Sequence, residues 1–84
     1  MYNLIFLPSV KKDLLKIQKD DREKIYKKLE QLEKNPFVIG TKKLAGYKAT
    51  YRIRQGNYRI IYSVKNNELI IEILKIKHRK NVYK

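Results

Sequence analysis

The residues best suited to chemistry in this chain are arginines. Arg52 and Arg54 stand at i and i+2 within Thr50–Gln55, where they alternate with Tyr51 and Ile53. Period-two alternation marks a strand, so both guanidiniums leave one face together, roughly 6–7 Å apart. That separation is near the spacing of successive phosphates, and a guanidinium is a planar fork of donors suited to phosphate oxygens. Arg59 follows the turn signal Gly56-Asn57 and can project onto the same face from the returning strand. Guanidiniums gathered on one face repel one another, which is poor for stability alone but suits a grip on a polyanion. The plain alternative is an ordinary solvent-facing strand with basic residues.

His78-Arg79 and Tyr83 come after the last apolar run, on a tail able to fold back over that face. An imidazole can exchange protons near neutral pH, although a lone histidine is more often neither ligand nor catalyst. A tyrosine near a C-terminus more often anchors packing than reacts. Other chemistries lack their parts. With one His and no Cys, and with only Glu68 and Glu72 as carboxylates in the second half, there is no metal-ligand spacing and no thiol nucleophile. No glycine-rich phosphate loop is present, and neither Ser9 nor Ser63 has a His-Asp partner arrangement. The expectation is chemistry run on basic groups and phenols, with no metal and no cofactor.

Charge supports the polyanion reading. The chain has 84 residues, with 21 Lys and Arg against 8 Asp and Glu, for a net +13. Residues 1–41 carry eight Lys and one Arg against six acids, whereas residues 42–84 carry eight Lys and four Arg against two acids. A lysine-rich surface explains the lysines readily and explains the clustered arginines, Arg52, Arg54, Arg59 and Arg79, less well. No apolar run is long enough to span a membrane, and no apolar leader with a small-residue cleavage site follows Met1. The absence of Cys fits a reducing compartment, so a cytoplasmic protein without a membrane partner is expected.

The elements that must position these groups follow from periodicity. Tyr2 to Leu7 reads as a first strand ended by Pro8, with Ser9 as a helix N-cap. Val10, Leu14 and Ile17, widened by Leu15, give an amphipathic helix to about Lys19. Asp20 or Asp21 caps a second helix, with Asp20 and Glu23 at capping-box spacing. Ile25, Leu29 and Leu32 continue it until Asn35-Pro36. Phe37 to Tyr47 reads as irregular. Strands are then expected over Thr50–Gln55, Tyr58–Val64 and Glu68–Ile76, with turns at Gly56-Asn57 and Asn66-Asn67. The order β-α-α-β-β-β predicts a single α+β domain over residues 1–84, an antiparallel sheet with an N-terminal helical hairpin packed on one face.

Several stretches together carry a resemblance. Phe6 with Ser9-Val10-Lys11-Lys12-Asp13-Leu14, Leu32 to Pro36 with Gly40-Thr41-Lys42-Lys43-Leu44-Ala45-Gly46, Tyr51 to Tyr62, and Lys77 to Tyr83 follow in order. The chain resembles the RelE-type toxins of the RelE/ParE toxin–antitoxin superfamily, over nearly its whole length. The resemblance implies an mRNA interferase, a ribosome-dependent endoribonuclease that inhibits translation. It would cleave A-site codons by attack of the ribose 2′-OH, leaving a 2′,3′-cyclic phosphate and a 5′-OH.

Carried over by position, Arg52 and Arg54 match the family's two sheet-borne basic residues and Arg59 its phosphate-gripping arginine. Arg79 matches the arginine near the leaving oxygen, and Tyr83 the tyrosine that stacks on the substrate base. Lys48, Lys77 and Lys80 join Arg52, Arg54, Arg59 and Tyr83 as expected RNA contacts. The best-known members have Lys where this chain has Arg52 and Arg54. Arginine does not readily give up its proton, so these two are expected to stabilise charge rather than act as the base. Some relatives use a His from the tail, so the resemblance makes His78 the leading candidate for proton transfer, with Tyr83 and Lys48 behind it. The alternative is that no strong base is needed, and electrostatics with ribosomal positioning does most of the work.

Two other readings compete. A ParE-like toxin shares the fold and inhibits DNA gyrase by protein contact, without chemistry; a basic RNA-binding module would grip RNA without turnover. The full basic set favours the nuclease. Either toxin reading implies a cognate acidic, RelB-like antitoxin able to wrap a basic face, and the nuclease implies the ribosome and mRNA as partners.

Overall fold

Helical and period-two patterns in the sequence meet in one apolar layer. The structure, a computed structural model, describes residues 1–81. Strand β1, Asn3–Phe6, leads through Leu7 into helix α1, Pro8–Lys16, and only Ile17 and Gln18 separate that from helix α2, Lys19–Lys34. Strands β2 (Lys42–Lys43), β3 (Thr50–Gln55), β4 (Tyr58–Lys65) and β5 (Ile70–His78) follow, and a short 3-10 turn spans Arg79–Asn81.

The helices start differently from the sequence expectation. Leu7, not Ser9, is the extended residue before α1, and Pro8 occupies its first turn. Proline suits that position because its φ is already helical and its missing N–H would have no helical partner. In α2 the N-cap is Gln18, with no side-chain cap. The brief connection through buried Ile17 starts this helix before Asp20 and Asp21. Both acids fall in the first turn, where their charge favours the positive end of the helix dipole.

The sheet has five strands in the order β1-β5-β4-β3-β2. From β2 to β5 it is antiparallel, as expected, but β1 lies parallel to β5, with Asn3 opposite Ile70 and Phe6 opposite Ile73. The sheet is therefore mixed. A parallel pair needs a long crossover, and here nearly the whole chain lies between the partners. Backbone hydrogen bonds from Tyr2 to Glu33 and from Asn3 to Leu69, both 2.8 Å, secure the start of β1.

One sheet face takes both helices. Val10, Leu14 and Ile17 from the first helical stripe and Ile25, Leu29 and Leu32 from the second pack with Ile53, Ile60, Tyr62, Val64, Ile71, Ile73 and Ile76. Leu15 does not widen the stripe; it is 76% exposed. Tyr62 is fully buried, donates its phenol proton to the Pro36 carbonyl at 2.6 Å, and takes a hydrogen bond from the Thr41 hydroxyl at 3.1 Å. Burial pushes the Tyr62 phenol pKa up, partly offset by the Thr41 bond. These bonds tie the segment between α2 and β2 to the sheet and so fix where β2 begins.

Candidate functional site

The other sheet face carries the charge. Across β3 and β4, Arg54 is the direct register partner of Arg59, and across β4 and β5, Arg59 is the partner of Lys77. Three cations thus stand in one row on adjacent strands, roughly 5 Å apart at their Cβ atoms. A second row runs Lys42, Arg52, Ile61, Lys75, from β2 through to β5. Like charges placed directly opposite each other destabilise a sheet. Among the described residues the one ion pair is Lys65 Nζ to Glu72 Oε1 at 3.0 Å, away from both rows.

The turn between β3 and β4 sets this alignment. Gly56 has φ +60° and Asn57 is not in the left-handed region, so the two-residue connection has the II′ pattern that keeps hairpin strands in register. Arg52, Arg54, Arg59 and Lys42 then line, with Gly40 and Ile53, an open depression of about 200 Å³. A concave cationic wall of this kind can grip phosphate oxygens and offset negative charge that grows during a reaction.

Lys77 belongs to the row because β5 is irregular. Ile61 pairs with Lys75 but Tyr62 pairs with Ile73, so Leu74 is an extra residue on β5, a β-bulge. Ile71 and Ile73 are buried before the bulge and Ile76 after it, which turns Lys75 and Lys77 to the charged face.

His78 shares its register position with Tyr58. Alternation therefore places it on the helix-side face, opposite Arg54 and Arg59. Its ring meets Tyr58 edge-on at 5.1 Å, and its Nδ1 accepts a hydrogen bond from the Lys80 N–H at 3.2 Å. In the neutral ring that acceptor fixes the proton on Nε2. The backbone N–H of Arg79 donates to the Asn57 carbonyl at 2.7 Å, so the 3-10 turn is pinned beside the hairpin turn that joins Arg54 to Arg59. Arg79 and Lys80 are exposed there. Lys48 is exposed in the loop between β2 and β3. Tyr83 lies outside the described residues.

The sequence reading missed Lys42 and Lys75. The Lys75 position had a signal in the spacing of Lys75 and Lys77 around Ile76, whereas a two-residue strand at Lys42 has no period to find. Among the described residues no group of His, Asp and Glu is arranged to hold a metal ion, and no helix is long and apolar enough to cross a membrane.

Comparison with known proteins agrees with this arrangement. Residues 4–83 match the family model described as ParE toxin of type II toxin-antitoxin system, parDE. Toxin RelE3 of Methanocaldococcus jannaschii is 32% identical over 84 residues, covering 95% of this chain and 93% of that protein. The archaeal RelE-RelB complex from Pyrococcus horikoshii contains a chain with 32% identity and a TM-score of 0.84, covering 93% of this chain and 94% of that one. The isolated E. coli RelE toxin gives 25% identity and a TM-score of 0.83, over 93% of this chain and 84% of that one. With its helical hairpin over a five-stranded sheet and these relatives along nearly its full length, the chain belongs to the RelE/ParE superfamily of type II toxins, as a RelE-type member.

Proposed function

We propose that the protein is a ribosome-dependent endoribonuclease that cleaves mRNA in the ribosomal A site and so arrests translation. The observation that carries this reading is the row Arg54, Arg59, Lys77, whose members are direct neighbours across three strands. Such an alignment costs stability, and a bound phosphodiester offsets that cost. The ribose 2′-OH attacks the adjacent phosphorus as its proton passes to solvent, the P–O5′ bond breaks, and the departing 5′-oxygen takes a proton from solvent. Arg52, Arg54 and Arg59 stabilise the growing charge on the phosphoryl oxygens, and Arg79 acts near the leaving oxygen. The products are a 2′,3′-cyclic phosphate and a 5′-OH. His78 takes no part in this step, because its ring lies on the opposite sheet face from Arg54 and Arg59, packed edge-on against Tyr58 with Nδ1 engaged by Lys80.

The same cationic face is the proposed contact for a cognate acidic antitoxin. The Pyrococcus horikoshii relative was crystallised as a RelE-RelB complex, and a chain at +13 favours an acidic, partly disordered partner. Gyrase inhibition is the second reading, because the matching family model is described for the ParE toxin. A translation extract assayed beside a supercoiling reaction separates the two. Arrested translation with A-site cleavage supports the nuclease, and blocked supercoiling with intact mRNA refutes it.

A further inference from the structure

The charged face of the sheet is not charged throughout. Ile61 interrupts the row Lys42, Arg52, Ile61, Lys75, so it has Arg52 as register partner on one side and Lys75 on the other. Leu74, the bulge residue, stands next to Lys75 on β5. The loop between β2 and β3 returns over this spot: the Leu44 N–H donates to the Thr50 carbonyl at 2.9 Å, and the Thr50 hydroxyl donates to the Lys48 carbonyl at 2.8 Å. Leu44, Tyr47, Thr50, Ile61, Leu74 and Lys75 together line a cleft of about 240 Å³. Tyr47 is 66% exposed at its mouth.

We propose that this cleft is a nucleobase subsite, in which a base of the bound RNA stacks on Tyr47 above Ile61 and Leu74. The inference rests on the nuclease reading and adds a contact to it that none of the arginines supplies. Ile61 and Arg59 lie on the same strand and face, roughly 6.8 Å apart, so a strand gripped by its phosphate at Arg54 and Arg59 brings a neighbouring base within reach. An apolar floor bracketed by Arg52 and Lys75 suits a flat aromatic group joined to anionic links on either side. That is the chemistry of single-stranded nucleic acid, in which cations track the backbone and aromatic side chains take the bases. A β-bulge that brings Leu74 to the cleft fits the general use of bulges to re-aim side chains beside functional sites. A peptide strand is a poorer occupant, since the cleft is short and local rather than a groove along a sheet edge.

The test is binding of a short fluorescein-labelled oligoribonucleotide and of a fully abasic counterpart of equal length and charge. Both are titrated at low salt without ribosomes, in a Tyr83→Ala background so that the tail tyrosine does not contribute. The base-containing strand should bind about 5–150-fold more tightly, the range for one base stacked on an aromatic side chain. Tyr47→Ala should remove most of that preference and leave abasic binding unchanged, and Tyr47→Phe should keep it. Tyr47 is largely exposed, so its replacement spares the core. Equal affinity for the two strands, or an equal loss for both in Tyr47→Ala, overturns the subsite while leaving the cationic grip intact. Weakened binding of a poly-glutamate peptide in Tyr47→Ala, with RNA discrimination unchanged, assigns the cleft to a protein segment instead. Failure of the nuclease reading registers separately, as uncleaved mRNA in the translation extract.

Discussion

Replacing Arg59 with Gln should make the protein more stable and less toxic at once. Arg59 has Arg54 directly opposite on one strand and Lys77 directly opposite on the other. At ~5 Å in water each like-charged pair is worth about 0.8 kcal/mol of repulsion, and splaying of the long side chains to ~10 Å halves it. Two neighbours therefore give a gain of about 0.8–1.7 kcal/mol when the charge is removed. Glutamine retains most of the aliphatic stem, so packing is little changed. For a domain of this size each kcal/mol raises Tm by about 4–8 °C. The gain should be largest at low ionic strength and nearly absent in ~1 M salt, where the Debye length is about 3 Å. Activity should move the other way, with cleavage in a programmed translation extract falling on the order of 10²–10³-fold, as for loss of one donor to transition-state charge. Urea denaturation at low and high salt, beside the extract assay, measures both. A variant destabilised by more than ~1 kcal/mol at either salt would refute the reasoning, because Arg59 would then be a packing residue rather than an uncompensated charge. So would full activity.

Tyr62→Phe leaves the Pro36 carbonyl and the Thr41 hydroxyl without their partner and should cost about 1–3 kcal/mol in urea denaturation. Because the folded-state pKa of Tyr62 lies above its ordinary value of 10.0, its contribution is intact below that pH and is lost as pH rises through the folded value; the Phe variant should lose correspondingly less stability over that alkaline range. Arg79→Ala should abolish growth arrest while leaving an unchanged circular dichroism spectrum, and a variant that remains fully toxic removes Arg79 from the site. His78→Gln should leave single-turnover cleavage nearly unchanged, because the ring packs on Tyr58 on the face opposite the arginines; a large loss of cleavage would return proton transfer to His78. Naked RNA should bind in a steeply salt-dependent way yet be cut little, since alignment by the ribosome is worth about 7–11 kcal/mol in favourable cases. Efficient cleavage of free single strands would contradict that division of labour.

What was legible in the sequence is what rests on local signals. The stripes Val10, Leu14, Ile17 and Ile25, Leu29, Leu32 mark both helices. The alternation around Arg52 and Arg54 and the pair Gly56-Asn57 define the hairpin, whose first strand has the expected bounds. The features that escaped depend on distant partners. Strand β2 exists because Lys42 and Lys43 meet Arg52 and Tyr51, and two residues show no period. The parallel placement of β1 depends on β5, which lies at the far end of the chain. Helix starts were misread because side-chain caps were expected where Pro8 and a two-residue link set the geometry instead. At the site, Arg54 and Arg59 fall on one face as the alternation implies. The face of His78 was not legible, since counting by twos from Ile71 would place it outward, beside the arginines.

The bulge at Leu74 reconciles two demands that a regular β5 cannot meet. The core needs Ile71, Ile73 and Ile76 on the helix side, and these positions do not share a parity. A ladder without the extra residue would keep Ile71 and Ile73 inward and then bury Lys75 and Lys77 while exposing Ile76. Burying an unpaired ammonium costs several kcal/mol, and exposing Ile76 forfeits about 1.5–3 kcal/mol of apolar burial. Both effects select the bulged register. Once it is adopted, Lys77 must stand beside Arg59, and Leu74 must lie against the cleft under Tyr47. The hydrophobic pattern of one strand thus determines the cationic pattern of the opposite face. Apolar burial in the core opposes the repulsion within the charged rows and holds them in register.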